Sequence, residues 1–193
     1  MEFSHKSVLL EECIDGLHIQ PDGIYVDGTA GGAGHSREIA RRLTTGRLFA
    51  LDKDPTAVAV ATERLASFPT AKVIHTDFAD MPAVLAEQGI VPGTVNGILL
   101  DLGVSSYQLD TAERGFSYMQ DAPLDMRMSQ EGLSAWDIVN TYDVSSLARI
   151  IREFGEEHYA LPIAKKIARA RQDHPIDTTG QLVELIRQAI PPK

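Results

Sequence analysis

The sequence predicts an α/β fold with a mainly parallel sheet, followed by an all-helical region. Four short apolar runs alternate with amphipathic stretches before residue 102. Continuous apolar runs are typical of parallel strands whose two faces are both covered by helices. Beyond Ser134 the pattern is entirely helical, so we expect a second, helical domain without strands.

The individual elements of the first region follow from local signals. The predicted strands cover 24–26, 48–51, 72–75 and 97–100. The predicted helices lie within 4–18, between Ser36 and Gly46, at 57–66 and at 82–88. Asp54 is suited to cap the third helix because a carboxylate accepts N–H bonds, and Pro55 suits the first helical position, which needs no N–H acceptor.

The later part of the chain shows two patterns. Residues 102–133 have little periodicity and are rich in Gly, Ser, Asp and Met, which predicts a long functional loop. The helices predicted after this loop cover 134–140, 144–154, 157–173 and 178–189.

Composition excludes several classes of protein. The 193 residues carry a formal net charge of −9, which argues against sequence-blind binding of nucleic acid by the whole surface but leaves room for a local basic patch. The single Cys13 excludes an internal disulfide and an all-cysteine metal site. There is no signal-peptide pattern and no apolar run of about 18 residues, so we expect a cytoplasmic protein without membrane attachment.

A glycine-rich turn, Asp27 to His35, joins the first strand to the following helix. Glycines let a ligand approach the backbone closely, and the N–H groups at the helix start face that ligand. The turn therefore predicts a nucleoside-cofactor site. Its glycines, at 28, 31, 32 and 34, lack the G-x-G-x-x-G spacing, and no Gly-Lys-Ser/Thr follows. A dinucleotide-dependent oxidoreductase and a P-loop protein are both disfavoured.

Carboxylates at the ends of three predicted strands favour a cationic cofactor, S-adenosylmethionine. Methyl transfer from this cofactor needs no metal ion. Ligands of open α/β sheets bind beyond the carboxyl ends of the strands. Asp52 ends the second strand, where a carboxylate binds a ribose diol. Asp27 opens the turn, where an acidic group suits a positively charged ligand. Phe78 follows the third strand and is expected to form an apolar shelf for adenine, while Asp101 faces the cofactor or the methyl acceptor.

The segment after the fourth strand bears on the acceptor. Methyltransferases acting on exocyclic amines often carry Asp/Asn-Pro-Pro-aromatic here, whereas this chain has Asp101-Leu102-Gly103-Val104. The lone pair of an aromatic amine is delocalised into its ring, so acceptors that hold its N–H groups can aim it at a methyl group. Positioning can carry much of such a reaction.

Several motifs, in order along the chain, resemble one family. The stretches are His5 to Leu10, Asp27-Gly28-Thr29, Gly34-His35-Ser36, Asp52 to Pro55, Asp101 to Ser106, Arg114 to Ser117 and Pro123 to Met128. Over essentially the whole chain they resemble the bacterial 16S ribosomal RNA cytosine-N4 methyltransferases, which modify a cytosine in the decoding centre of the small subunit.

The resemblance implies a Rossmann-like class I methyltransferase fold with an inserted helical domain. It implies a cofactor-binding domain over 1–109 and a substrate-recognition domain over 110–193. It also implies that family members continue past residue 193, so we expect this chain to be the N-terminal portion of such a protein. The implied S-adenosylmethionine contacts are Ala33, Gly34, His35, Asp52, Phe78, Asp101 and Gln108, and Asp101 is the expected catalytic residue.

Other features keep two interpretations each. Basic residues on two predicted helices either contact RNA phosphates or form ordinary solvated helix faces. One helix carries the cluster Lys165, Lys166, Arg169 and Arg171, and the other carries Arg149 and Arg152. The aromatic residues Tyr107, Phe116 and Tyr118 either hold a flipped base or anchor the loop. Arg114, Asp125 and Arg127 are either site residues or an internal ion-pair network.

Two rival functions also stay open. One is a methyltransferase for another nucleic acid or a small molecule. The other is an S-adenosylmethionine-binding, ribosome-associated assembly factor without essential catalysis.

Overall fold

A computed structural model describes residues 7–191, which form two compact units that divide between Gly103 and Val104. The strands are β1 (Ile24–Asp27), β2 (Arg47–Asp52), β3 (Ala71–His75) and β4 (Gly97–Leu99). The helices of the first unit are α1 (Leu10–Leu17), α2 (Gly34–Arg42), α3 (Pro55–Leu65) and α4 (Met81–Glu87). Those of the second unit are α5 (Ser106–Asp110), α6 (Ala135–Thr141), α7 (Val144–Glu153), α8 (Ala160–Ala170) and α9 (Thr179–Ala189).

The first unit is a parallel sheet in the order β3-β2-β1-β4. This confirms the four predicted strands and the α/β fold of Rossmann type. The chain runs outward from β1 through β2 to β3 and then returns to the other side of β1 for β4. The strand order thus reverses beside β1, and ligands of such sheets bind at the carboxyl ends next to this reversal.

Helices cover both faces of the sheet, as the continuous apolar runs predict. Alternate residues of β2 point to opposite sides, so Leu48 packs with Ile39 of α2 while Phe49 packs with Leu85 of α4. The first face also carries apolar side chains of α1 and α3. Asp54 caps α3 by accepting a 3.0 Å bond from the Thr56 N–H, with Pro55 in the first position as predicted. Residues 4–6 of the predicted 4–18 stretch lie outside the described residues.

The second unit is helical and has its own core, built around Leu124, Leu147, Ile163 and Ile167. Its residues up to 191 form no strand, only an isolated bridge between Pro123 and Thr178. The two units divide between Gly103 and Val104, whereas the predicted domain boundary lies at 109/110. The roles predicted for the two domains stay predictions.

Two details of the predicted second region were wrong. The expected loop at 102–133 contains α5 and a 3₁₀ turn at Ala112–Arg114. A five-residue helix is too short to repeat an apolar period, and Ser105 and Gln108 stabilise it through a reciprocal capping box. The helix predicted at 157–173 is shorter and covers only Ala160–Ala170. None of the helices in the 7–191 range has the length and apolar character needed to cross a membrane.

Candidate functional site

The turn after β1 is anchored to both neighbouring strands. The Gly28 N–H donates to the Leu99 carbonyl of β4, and the Ala30 N–H donates to the Leu51 carbonyl of β2, each at 2.9 Å. These bonds continue the sheet ladder past the end of β1. The glycine-rich turn therefore lies where the strand order reverses, at the carboxyl edge where a ligand is expected.

Asp27 braces this turn from within and does not face a ligand. Its side chain is 1% exposed, and its two oxygens accept bonds from Ser36 Oγ at 2.7 Å and from the Thr29 N–H at 3.1 Å. The expectation that this carboxylate meets a cationic ligand is therefore corrected. Burial raises the pKa of Asp27 above its ordinary value of 3.8, although both hydrogen bonds act to lower it.

Replacing Asp27 tests this brace. Asp27→Ala leaves the Thr29 N–H and the Ser36 hydroxyl without an acceptor in a buried site, so we expect a loss of about 2–4 kcal/mol in the free energy of unfolding. Asp27→Asn keeps an acceptor for Thr29, and its amide can donate to Ser36 Oγ, so the loss should stay below about 1 kcal/mol. Urea denaturation of both variants measures the difference.

The raised pKa adds a pH signature to the same comparison. A carboxyl whose pKa is higher in the folded than in the unfolded state stabilises the fold fully below its unfolded pKa, and this contribution is lost as pH rises through the folded pKa. The stability of the wild type relative to Asp27→Asn should thus fall as pH rises from about 4. If the difference in free energy of unfolding between the wild type and Asp27→Asn stays constant or grows over this range, the raised pKa of Asp27 is contradicted.

Asp52 ends β2 and holds the turn with its carboxylate. Its Oδ2 accepts a 2.8 Å bond from the Gly31 N–H, and its Oδ1 accepts a 2.9 Å bond from the Asp54 N–H. Partial burial raises the pKa of Asp52, against the lowering effect of these two bonds. A carboxylate offers about four acceptor positions, and main-chain N–H groups of Asp54, Gly31 and Lys53 account for three, so the group keeps some acceptor capacity. The binding of a ribose diol by Asp52 stays a prediction.

The start of α2 offers main-chain donors. Ala33 precedes the helix with a left-handed φ of 60°, and Gly34 is its first residue. A Cβ on Gly34 would lie 1.9 Å from Ser7 Oγ, so a larger residue here would have to displace the Ser7 hydroxyl. The His35 side chain is buried, and its Nε2 lies 3.1 Å from the Val8 carbonyl, so the ring is not free to meet a ligand. The Ala33 N–H donates a 2.7 Å bond to the Ala30 carbonyl, so the main-chain donors at this end are those of the first turn of α2, which Gly34 and His35 begin. Their contact with the cofactor stays a prediction.

Phe78 lies beside the same turn. It begins the 3₁₀ turn Phe78–Asp80 after β3 and is 37% exposed. A Cβ on Gly28 would lie 3.2 Å from the Phe78 Cβ and 2.5 Å from Leu100 Cδ2, so Gly28 allows the turn to approach both residues. An exposed aromatic surface at the carboxyl edge is what the predicted adenine shelf requires.

Asp101 is exposed just beyond β4, and its main chain is fixed to the turn. The Asp101 N–H donates a 2.7 Å bond to Thr29 Oγ1. Asp101, Asp52 and Phe78 thus lie at the same carboxyl edge of the sheet, around the Asp27 to Gly34 turn.

Sequence reasoning missed two residues that shape this edge. Thr29 positions Asp101, and Arg64 of α3 donates a 2.7 Å bond to the Gly32 carbonyl. Thr29 follows Asp27-Gly28 in the motif and could have been singled out as a hydroxyl in the turn. Nothing in the local sequence around Arg64 indicates its contact, because the two residues are 32 positions apart.

Gln108 belongs to the second unit. It is buried, its amide Oε1 accepts a 3.0 Å bond from the Ser105 N–H, and its own N–H donates to Ser105 Oγ at 3.2 Å. In this structure Gln108 therefore caps α5, and its predicted cofactor contact stays a prediction.

The charged residues of the loop form an internal network. Asp125 accepts bonds from Arg127 Nε at 3.0 Å and from the Arg127 N–H at 2.9 Å, and this pairing lowers the pKa of the carboxyl. The buried Arg114 donates to the Arg127 and Met128 carbonyls at 3.0 and 3.1 Å, and its guanidinium lies 5.8 Å from the Phe116 ring centre. The network interpretation of Arg114, Asp125 and Arg127 is therefore the one that the geometry supports.

Comparisons with known proteins identify the family of this chain. The sequence profile described as "MraW methylase family" matches residues 2–193. The chain is 57% identical to ribosomal RNA small subunit methyltransferase H of Lachnospira eligens and 51% identical to the protein of that name from Clostridium botulinum. Each alignment covers 100% of this chain and 62% of the relative, so the chain spans about three fifths of their length.

Among solved structures, the chain is similar to an rRNA methylase from Streptococcus thermophilus, with a TM-score of 0.42 and 17% identity over 52% of this chain and 58% of that chain. The profile match extends over nearly every residue, and both curated relatives exceed half identity along the whole chain. The chain therefore belongs to the MraW methylase family.

Proposed function

We propose that the complete protein transfers a methyl group from S-adenosylmethionine to the N4 amine of a cytosine in 16S ribosomal RNA of the small subunit, in the cytoplasm. The observation that carries the proposal is the convergence of Asp52, Asp101 and the α2 N-terminus on one glycine-rich turn. The names of the relatives support the substrate class, because they are small-subunit ribosomal RNA methyltransferases.

The residues at the turn fit the proposed cofactor. Asp52 retains acceptor capacity for a ribose hydroxyl, and Phe78 offers an exposed ring to adenine. The N–H groups that begin α2 suit a carboxylate such as that of the methionyl moiety. When bound, S-adenosylmethionine supplies an electrophilic methyl group on a sulfonium.

Asp101 is the proposed catalytic residue. Its carboxylate is exposed at the carboxyl edge and can accept hydrogen bonds from an exocyclic amine. Holding those N–H groups turns the nitrogen lone pair out of the ring plane and aims it at the methyl group, so positioning is the main contribution of this side chain. The predicted base-holding role of Tyr107, Phe116 and Tyr118 belongs to the same proposal, because a base must leave its stack to be methylated.

Thr29 should act as a positioning residue for Asp101. Thr29→Val keeps the side-chain shape but removes the acceptor of the Asp101 N–H, so we expect kcat for methyl transfer to fall about tenfold, with KM for the cofactor nearly unchanged. Thr29→Ser restores the hydroxyl and should recover most of the loss. Equal activity of the valine and serine variants contradicts a role for this hydrogen bond.

Transfer of methyl label tests the proposed function. The complete protein is incubated with methyl-labelled S-adenosylmethionine and small ribosomal subunits that lack the modification, with large subunits and free nucleosides as parallel acceptors. We expect label in RNA of the small subunit alone. Label in another acceptor favours a different methyltransferase, and cofactor binding without transfer to any RNA favours the assembly factor.

A further inference from the structure

The exposed face of α8 combines three cations with an apolar floor. A groove of about 410 Å³ lies on this helix and is lined by Leu161, Pro162, Lys165, Lys166, Arg169 and, from α9, Ala189. The opposite face of α8 is buried in the core of the helical unit through Ile163 and Ile167. Residues 159–172 contain no acidic side chain, although the chain as a whole carries 27.

The structure divides the basic cluster predicted from the sequence. Arg171 turns inward and donates to the Val139 and Tyr142 carbonyls at 2.6 and 2.5 Å, so it fastens α8 to the end of α6. Lys165, Lys166 and Arg169 form no ion pair with any residue of the described range 7–191. On α8, these three cations are the ones left to meet an external anion.

Helix stability does not account for this arrangement. A cation in the last turn of a helix interacts favourably with the helix dipole, which suits Arg169, but the effect fades beyond that turn and does not explain Lys165 or Lys166. Lys165 and Arg169 stand four residues apart, where like charges destabilise a helix. Three uncompensated cations on an otherwise acidic protein therefore favour a partner with regularly spaced negative charges.

We propose that this face of α8 binds the phosphate backbone of the RNA substrate, an inference that rests on the proposed function. Four residues of α-helix rise about 6 Å, so Lys165 and Arg169 can reach neighbouring phosphates of one strand. Leu161 and Pro162 provide an apolar surface between the cations for the sugar face of that strand. A membrane is disfavoured because surface-bound helices insert their apolar face, and that of α8 is already buried in the protein.

The salt dependence of binding tests the surface. The triple variant Lys165→Gln, Lys166→Gln, Arg169→Gln of the complete protein is titrated with small subunits lacking the modification, at several salt concentrations. Each phosphate contact contributes about 0.7–0.9 to the slope of log K against log salt, so we expect the slope to shrink by about two to three. Affinity at about 0.1 M salt should fall at least tenfold.

A matched triple variant controls for net charge. Arg41→Gln, Arg42→Gln and Lys72→Gln remove the same charge from exposed positions of the other unit and should leave the slope within about one of the wild type. The single variant Lys165→Gln should lower the slope by about one and tests the surface even where the triple variant does not fold. Cofactor affinity, measured by calorimetry, should stay unchanged in every folded variant.

The outcomes separate this inference from the proposed function. A wild type that binds small subunits but transfers no methyl group refutes the proposed function, while the binding slopes still decide about α8. Slopes of the α8 variants equal to those of the wild type or of the charge control overturn the inference. The proteins are also titrated with anionic phosphatidylglycerol vesicles. The inference is overturned if the α8 triple variant loses binding to the vesicles but keeps its binding to small subunits.

Discussion

Asp101→Ala in the complete protein is expected to lower kcat for methyl transfer by about 100- to 10,000-fold. The alanine removes the carboxylate that orients the amine, but the Asp101 N–H keeps its 2.7 Å bond to Thr29 Oγ1. The main chain should therefore hold its place, and the dissociation constant of the cofactor should change less than about tenfold. Single-turnover kinetics together with calorimetry separate these two effects.

Two further variants sharpen this expectation. Asp101→Asn keeps one acceptor oxygen and should retain more activity than the alanine variant. Asp22→Ala makes the same charge change in the exposed turn before β1, at the opposite end of the sheet, and should leave kcat within about twofold of the wild type. If Asp101→Ala matches Asp22→Ala, the catalytic assignment of Asp101 is wrong.

Asp52→Ala should have the largest effect on cofactor affinity. The variant loses the proposed bonds to the ribose diol and also the acceptor of the Gly31 N–H, which lies in the cofactor turn. A ribose hydrogen bond to this charged group contributes about 1.5–3 kcal/mol, and loss of the Gly31 acceptor loosens the turn further, so we expect a loss of about 2–4 kcal/mol, or roughly 30- to 1000-fold in the dissociation constant. Calorimetric titration with S-adenosylmethionine measures it.

The comparison again uses a matched variant and a conservative one. Asp22→Ala should bind the cofactor like the wild type. Asp52→Asn keeps one carbonyl oxygen, so its affinity for the cofactor should fall by only about tenfold, less than that of the alanine variant. An Asp52→Ala protein that is folded and binds with unchanged affinity would remove Asp52 from the site.

The sheet could be predicted from the sequence because its strands are continuous apolar runs. Leu48 to Leu51 carry side chains to both faces of β2, and both faces are covered, so burial alone produced the pattern. The start of α3 at Asp54 and Pro55 could also be predicted, because helix capping depends on neighbours within one turn. The short helix α5 was not, because its stability comes from the capping box of Ser105 and Gln108 rather than from periodicity.

The three carboxylates that end predicted strands look alike in the sequence, and only packing separates them. Asp27 is enclosed by Ser36 and the turn, whereas Asp52 keeps acceptor capacity and Asp101 is exposed. His35 could not be placed by local reasoning either, because its side chain bonds to Val8, 27 positions earlier. Contacts between distant residues thus decided which groups of the motif are buried and which stay accessible at the carboxyl edge.

The identity of the methylated nucleoside tests the central claim most directly. RNA from small subunits labelled by the complete protein is digested to nucleosides and resolved by chromatography and mass spectrometry. The proposal predicts that the label elutes as N4-methylcytidine in the wild-type reaction and is lost in the Asp101→Ala reaction. Label in 5-methylcytidine, in a methylated purine or in a ribose-methylated nucleoside would contradict it.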